Sequence, residues 1–515
     1  MNSSNKTPAS PSHQVTKSPV LKKLFLCLLS AALLILSFPN FNLWILAWFG
    51  FAPLFFALQN VSKTKAFLLS YFTGLVFWLG IIYWLIHVTL PGMIILVGYL
   101  AFYFAIFGLL AKTLLARVSK WEALFIPCLW CVLEYVRGHL FTGFPWALLG
   151  YSQFLNLAVI QIADITGSWG VSFLVMMVNI VIYRSLKRSF AKSYSLYACR
   201  YAVVLLIVLG YGIFKLSFPT PASDSPQVKI SVVQGNIPQH LKWEPRARDF
   251  IVRKYITLTE PILNTRPDLI IWPEAALPVV LEEEPKYYRR VLDFTRQGER
   301  FLLFGAVTSK EGNFYNSALL VSGKGKLLQQ YDKLHLVPFG EYIPLRRTLR
   351  FLETVVPIGD FTAGREYTLF NLAKLKFAVL ICFEDLFPEL SRRFSKNGAD
   401  FLVNITNDAW FGETSSPYQH LAASVFRAVE TRRYLIRAAN TGVSGFIAPT
   451  GKIISLVRGE DAKAIFAPGY KTQTLSIAKT GPTFYARFGD WFILANSIYV
   501  IICAFFLRRK APQYN

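Results

Sequence analysis

The segment Leu375-Lys376-Phe377-Ala378-Val379-Leu380-Ile381-Cys382-Phe383-Glu384-Asp385-Leu386 decides how this chain is read. Its first seven residues are apolar apart from Lys376, the pattern of a strand buried in a sheet. The run ends on a single cysteine followed by two acidic residues and a turn into Phe387-Pro388-Glu389-Leu390. A thiol at the C-terminal end of a core strand is a natural seat for a nucleophile. Free cysteine is also among the most buried residue types, so this stretch alone equally describes a structural thiol.

Working outward, residues 228 to 478 alternate strand-like and helix-like patterns. Strands are predicted at 229–234, 269–272, 301–307, 317–321, 375–381, 401–406, 435–439 and 445–448, and amphipathic helices at 247–263, 286–295 and 418–433. That alternation, over about 260 residues, fits one α/β domain with its own core.

The rest of the chain is of a different kind. With 515 residues, 54% hydrophobic and 16% aromatic, it is too apolar for a soluble protein, and a membrane part beside a globular part is expected. Apolar runs lie at 24–38, 42–58, 66–88, 92–116, 121–136, 168–183, 201–217 and 491–507, eight in all. The first is shorter than the roughly 20 residues that cross a bilayer core, and the fifth ends near Glu134 and Arg137. Residues 1–20, rich in Ser, Pro, Asn and Lys, read as a disordered tail. The organisation expected is therefore a tail (1–20), a membrane domain with seven transmembrane helices (21–217), a catalytic domain (218–488) entered through Phe218-Pro219-Thr220-Pro221, and a last transmembrane helix and tail (489–515).

The net charge of +24 raises the question of nucleic acid, yet no basic groove or binding module is recognisable. The basic residues gather instead beside alternate apolar runs: Lys22 and Lys23; Lys63 and Lys65; Lys112, Arg117 and Lys120; Arg184, Lys187, Arg188, Lys192 and Arg200; Arg508, Arg509 and Lys510. The intervening loops 37–42 and 87–92 contain no Lys or Arg. By the positive-inside rule both termini are cytoplasmic and 218–488 lies outside, with roughly 1 kcal/mol of bias from each basic residue near an anionic leaflet. Of the six cysteines, only Cys382 falls in the domain expected outside, so no internal disulfide can staple it. Cys128 and Cys131 form a C-x-x-C inside an apolar helix without a second ligand pair, which points to packing rather than metal or redox chemistry.

Three polar residues stand at or just beyond the ends of apolar runs: Glu274 in Ile271-Trp272-Pro273-Glu274, Lys333 in Tyr331-Asp332-Lys333-Leu334, and Cys382. Each alone is ordinary. Together they form a working set, because a thiol is only a few per cent ionised at neutral pH and needs a base and a neighbouring cation. Glu274 can accept the proton. An ammonium about 4 Å from a thiolate contributes on the order of 4 kcal/mol at an effective dielectric near 20, and Lys333 suits an oxyanion as well. Acyl transfer through a thioester is the chemistry that follows. His335 and His420 are the rival bases; His335 lies beside Lys333 in a short apolar run and His420 on a helix face. No H-x-x-H or E-x-x-H spacing occurs, so no metal site and no cofactor are expected.

These segments resemble the nitrilase superfamily of carbon-nitrogen hydrolases, whose triad is Glu-Lys-Cys on an α-β-β-α sandwich. With the flanking apolar spans, the chain is most similar to the bacterial apolipoprotein N-acyltransferase family. The resemblance rests on Gln234-Gly235-Asn236-Ile237-Pro238 through Trp243, on 333–344 with Glu341, on Asn404-Ile405-Thr406-Asn407-Asp408-Ala409-Trp410-Phe411-Gly412, and on Gly143-Phe144-Pro145-Trp146 in the membrane part. It implies that Cys382 takes a fatty acyl chain from the sn-1 ester of a phospholipid, typically phosphatidylethanolamine, and passes it to the α-amino group of a diacylglyceryl-cysteine on an apolipoprotein. Glu274 is then general base and acid and Lys333 the oxyanion stabiliser. The same resemblance implies that Glu341 orients Lys333 or shares the proton work, that Glu384 shapes the turn behind the nucleophile, and that Phe383 stands where tyrosine is common. Trp243 is either a lid or acyl-chain contact or a packed core residue. The implied setting is a bacterial inner membrane with the catalytic domain in the periplasm. The alternatives are a membrane-bound amidase of the same fold that gives the acyl group to water, and a transporter or receptor whose outer domain only binds.

Overall fold

The computed structural model describes residues 19–115, 122–187, 193–218, 225–343 and 360–509. The expected tail before residue 19, the linker residues Pro219, Thr220 and Pro221, the last residue of the 333–344 motif, and Arg117, Lys120, Arg188, Lys192 and Lys510 of the charge count lie outside the described residues.

In the helical part, four helices among the described residues are long and apolar enough to cross a membrane: Lys63–His87, Leu90–Leu115, Ser168–Leu186 and Cys199–Ser217. The other apolar runs fold as Pro19–Leu36, as a tight turn Trp44–Trp48 followed by the short helix Ala52–Ala57, as Glu122–His139 with Pro127 inside it, and as Trp491–Arg509. The broken segment 44–57 exposes backbone groups that no helix satisfies, and buried side chains take them over. Asn179 donates to Ala47 O at 2.7 Å and accepts from Phe51 N at 2.8 Å, while Gln153 donates to Trp44 O and accepts from the Trp48 indole, both at 2.9 Å. On Cys199–Ser217, by contrast, Val203, Leu206, Ile207, Ile213 and Phe214 are all exposed. A helix coated with uncovered aliphatic and aromatic side chains is one whose solvent is lipid.

Thirteen strands among the described residues build the second part: β1 (Gln227–Gln234), β2 (Leu269–Ile271), β3 (Leu277–Val280), β4 (Phe301–Lys310), β5 (Asn313–Val321), β6 (Leu327–Asp332), β7 (Phe370–Leu372), β8 (Leu375–Ile381), β9 (Phe401–Thr406), β10 (Leu435–Ala439), β11 (Gly445–Ile447), β12 (Ile453–Leu456) and β13 (Gly469–Ser476). They form two sheets, β13-β1-β2-β4-β5-β6 with β3 beside β4, and β12-β11-β10-β9-β8-β7. Each has a parallel centre, β1-β2-β4 in one and β8-β9-β10 in the other, flanked by antiparallel strands.

Period-two alternation assigns the faces. Leu269, Ile271 and Leu303 point into the core shared with Phe377, Val379 and Ile381, whereas Ile270, Leu302 and Phe304 point out to Tyr255, Val291 and Phe294. Those last three belong to the helices Arg248–Leu263 and Pro285–Gly298, which cover the first sheet. Pro388–Lys396 and Ser416–Thr431 cover the second. The architecture is the expected α-β-β-α sandwich joined to an α-helical membrane part.

The sandwich stands on the membrane part through Ser416–Thr431, which is buried along almost its whole length. Gln419 accepts from the indoles of Trp84 at 3.2 Å and Trp146 at 2.6 Å, and donates to Ile81 O at 3.1 Å. At the far end of the helix Glu430 accepts the backbone N–H of Ser168 at 2.9 Å, and Arg432 pairs with Asp164 at 2.9 Å. Cys128 and Cys131 are buried free thiols, and Cys131 donates to Trp169 O at 3.4 Å, a packing contact between helices.

Candidate active site

Strand β8 delivers Cys382 at its C-terminal end, where the chain turns into the short 3-10 segment Cys382–Leu386. Cys382 has φ +53°, the left-handed region that side chains with a Cβ avoid. Such a conformation costs on the order of 1–3 kcal/mol and persists only when its surroundings hold it. Here Asn404 on β9 donates to both Leu380 O and Cys382 O at 3.1 Å. The Glu384 carboxylate, fully buried, folds back to accept Ile381 N at 2.7 Å.

The same carboxylate reaches the other sheet. It accepts Leu334 N at 2.7 Å, His335 N at 3.1 Å and the Tyr331 hydroxyl at 2.9 Å. One buried acid therefore ties the turn bearing Cys382 to the segment bearing Lys333. Burial pushes its carboxyl up to about 7, against the pull of those donors and of Lys333.

Lys333 follows β6 and is 1% exposed. Its Nζ lies 2.9 Å from Glu341 Oε2 and 3.7 Å from Glu274 Oε1, and Asn316 on β5 donates to both carboxylates at 2.8 Å. Glu341 is held in turn by Val337 N at 2.8 Å. Glu274 sits just after β2, where the chain comes hard against β4. A Cβ on Gly305 would meet Ala275 N at 2.6 Å and Glu274 Cα at 2.7 Å, so only glycine lets that turn close.

Electrostatics follow from this packing. Burial works to lower Lys333, but Glu341 and then Glu274 outweigh it and hold the ammonium above the ordinary lysine range. Cys382 is pushed well up, first by burial and then by the Glu274 charge, with Lys333 opposing. The resting thiol is thus neutral beside a base and a fixed cation. Thiolate forms only when its proton can move to a neighbour.

Aromatic rings connect this corner to the membrane part. Phe383 stacks on Trp146 at 6.2 Å and 18°, and Trp146 on Phe144 at 6.2 Å and 20°. Phe144 meets Trp78 edge-on at 6.2 Å. The loop 143–146 thereby touches Phe383, the residue after Cys382, a link that the sequence alone leaves open.

The rival histidines are otherwise engaged. His335 packs on Phe387 with ring centroids 3.7 Å apart, and burial followed by the Lys333 charge lowers it to about 4. His420 is locked between Asp385 at 2.6 Å and Asp408 at 3.0 Å; burial works against its charge, but Asp385 overcomes this and lifts it to about 9. Arg437 joins them, 2.9 Å from Asp385, and Ser424 hydrogen-bonds Asp385 as well. This buried cluster sits behind Cys382. Trp243, at the end of the short helix Gln239–Lys242, is half-buried and outside both apolar cores, and its indole N–H has no partner among the described residues. Sequence reasoning missed two neighbours of the triad: Asn316, which bridges the carboxylates, and Lys242, whose Nζ donates to Glu274 O at 2.9 Å. Among the described residues, no group of three or more His, Cys, Asp or Glu side chains is arranged to hold a metal.

A family profile described as apolipoprotein N-acyltransferase N-terminal domain matches residues 30–181, and one described as carbon-nitrogen hydrolase matches 229–474. The chain is 39% identical to an apolipoprotein N-acyltransferase of Geobacter metallireducens, over 95% of this chain and 96% of that one. It is 33% identical to one of Methylococcus capsulatus, over 96% and 98% respectively. Among solved structures, an amidase from Nesterenkonia sp. is similar over 52% of this chain and 96% of its own, at 17% identity and a TM-score of 0.38.

Proposed function

This chain belongs to the apolipoprotein N-acyltransferase family, and from that premise we propose that it moves a fatty acyl chain from a phospholipid, through a thioester on Cys382, to the α-amino group of an N-terminal diacylglyceryl-cysteine. The observation that carries the reading is the convergence of Cys382, Glu274 and Lys333 in one buried corner, joined by Phe383 and Trp146 to the apolar helices.

In the first half-reaction Glu274 takes the thiol proton as the sulfur adds to the sn-1 ester carbonyl. Lys333, kept charged by Glu341, faces the oxyanion of the tetrahedral intermediate. Collapse breaks the C–O bond, and Glu274 returns its proton to the departing lysophospholipid oxygen. In the second half-reaction the acceptor amine adds to the thioester while Glu274 takes a proton from it. Collapse expels the sulfur, which recovers that proton, and the amide is released. One site serves both halves in turn, which is ping-pong behaviour. Phosphatidylethanolamine is the donor in this reading. The domains 21–217 with seven transmembrane helices, 218–488 and 489–515 then sit in the inner membrane with the catalytic part periplasmic and both termini cytoplasmic, as the charge of the loops supports.

The test is reconstitution of the purified protein in vesicles of phosphatidylethanolamine with a diacylglyceryl-cysteine peptide. An N-acylated peptide from wild type and none from Cys382→Ala is expected. Free fatty acid without acylated peptide would overturn the acceptor and leave a hydrolase.

A further inference from the structure

Lys242 meets the backbone carbonyl of Glu274, whereas Lys333 faces its carboxylate. It is 1% exposed, and of its three N–H donors one finds a protein acceptor among the described residues, the Glu274 carbonyl at 2.9 Å. A buried ammonium with unused donors is costly unless it neutralises something. Counted as ions, the carboxylates of Glu274 and Glu341 and the ammonium of Lys333 sum to −1. A thiolate on Cys382 leaves that sum at −1 if its proton moves to Glu274, and makes it −2 if the proton leaves the site. Lys242 brings these sums to 0 and −1: the charges acting on it come from Glu274 and Cys382, and both favour its ammonium. Its hydrogen bond also holds the Glu274 carbonyl just ahead of Ala275, whose φ of +44° strains the turn.

We propose that Lys242 is a positioning and charge-balancing residue of the catalytic corner, a second cation that offsets the two carboxylates so that the proton of Cys382 can leave. The inference rests on Cys382 being the nucleophile and adds a residue to that reading. Burial lowers Lys242 to about 8, so its charge is present at neutral pH and fades above it. The groups facing Lys242 are Glu274 after β2 and Cys382 after β8. Glu384 and His420 also titrate near Cys382, but they do so alike in wild type and in any variant of Lys242.

The experiment reads the thiolate directly and needs no lipid donor or acceptor: the rate of Cys382 alkylation by iodoacetamide in the intact, detergent-solubilised protein, followed by mass spectrometry from pH 6 to 10. For wild type the rate should rise with pH and bend to a shallower slope near pH 8, as the Lys242 charge is lost. Lys242→Met should alkylate at least about tenfold more slowly at pH 7, one unit of thiol pKa, and lack the bend. Lys242→Arg, which keeps its charge throughout, should retain the wild-type rate at pH 7 and also lack the bend. A Lys242→Met rate within twofold of wild type, or a Lys242→Arg profile that bends near pH 8 as sharply as wild type, overturns the proposal. If Lys242→Met does not fold, the Lys242→Arg profile decides alone. Because no phospholipid is involved, either result is separate from the outcome of the acyl-transfer test.

Discussion

The Glu384 carboxylate, two residues beyond Cys382, accepts the backbone N–H of Leu334, one residue beyond Lys333, at 2.7 Å. That bond joins the segment after one sheet to the segment after the other and ties Cys382 to Lys333. Replacing Glu384 with Ala strips an acceptor from the Ile381, Leu334 and His335 N–H groups, at about 1–3 kcal/mol for each donor left buried and unpaired. A drop of several degrees in melting temperature and loss of acyl transfer are expected. A variant with wild-type melting and turnover would show that the link is dispensable.

Glu341→Gln tests the grip on Lys333. The ammonium loses its nearer carboxylate while Asn316 and Val337 stay in place. Acyl-enzyme formation should fall about 10²-fold, the scale for disturbing one oxyanion stabiliser. Glutamine has one acceptor oxygen where the carboxylate uses two, so one buried donor, Asn316 or Val337 N, is left unpaired at a cost of about 1–3 kcal/mol in stability. Single-turnover kinetics with a phospholipid donor give the number.

Gly305→Ala tests the seat of Glu274. The new methyl group has backbone, not a yielding side chain, within 2.7 Å, so the turn must shift. A displacement near 1 Å costs about 10²-fold in rate. The expected signature is a large loss of kcat at a modest cost in thermal stability.

The buried His420 cluster carries a pH dependence of stability. A histidine raised from its ordinary value to about 9 in the fold contributes stability that is complete below about pH 6.5 and is lost as pH rises through 9. Asp385 and Asp408 are shifted the other way: burial would raise them, but His420 and Arg437 pull them below the usual carboxylate range. Their contribution is lost only in acid, below that range. Melting temperature of wild type should therefore decline between pH 6.5 and 9, and His420→Gln should be less stable at pH 6.5 with a flatter decline. Parallel curves would refute the assignment.

Much of this architecture is legible in the sequence where burial is two-sided. Strands β8, β9 and β10 begin and end where their apolar runs do, because a strand buried on both faces must be apolar throughout. Strands β6 and β13, Leu-Leu-Gln-Gln-Tyr-Asp and Gly-Tyr-Lys-Thr-Gln-Thr-Leu-Ser, escape that reading. Both are edge strands with polar, largely uncovered side chains. Glu274 and Cys382 are visible because each stands at or just beyond the end of an apolar run, whereas Lys333 follows the polar strand β6 and stands out only through the Glu-Lys-Cys resemblance. Lys242 is not visible, since Gln-His-Leu-Lys-Trp looks like any solvated turn until the fold buries it. The Asp385, Asp408, His420 and Arg437 cluster escapes for a related reason: its members come from four separate segments and share no spacing.

Phe383→Ala removes the ring stacked on Trp146 beside the nucleophile. If that ring guides the acyl chain, KM for long-chain phospholipid should rise severalfold while a short-chain soluble ester is processed as before, and Phe383→Tyr should behave as wild type. Equal losses for both donors would mean that the ring serves the turn rather than the lipid.

The central claim is that Cys382 carries the acyl group. Protein incubated with phosphatidylethanolamine vesicles in the absence of acceptor, digested and examined by mass spectrometry, should show the Cys382 peptide with one fatty acyl mass added. That mass should be removed by neutral hydroxylamine, discharged by a diacylglyceryl-cysteine peptide, and absent from Glu274→Gln. An unmodified Cys382 under conditions in which the peptide acceptor is acylated would contradict it.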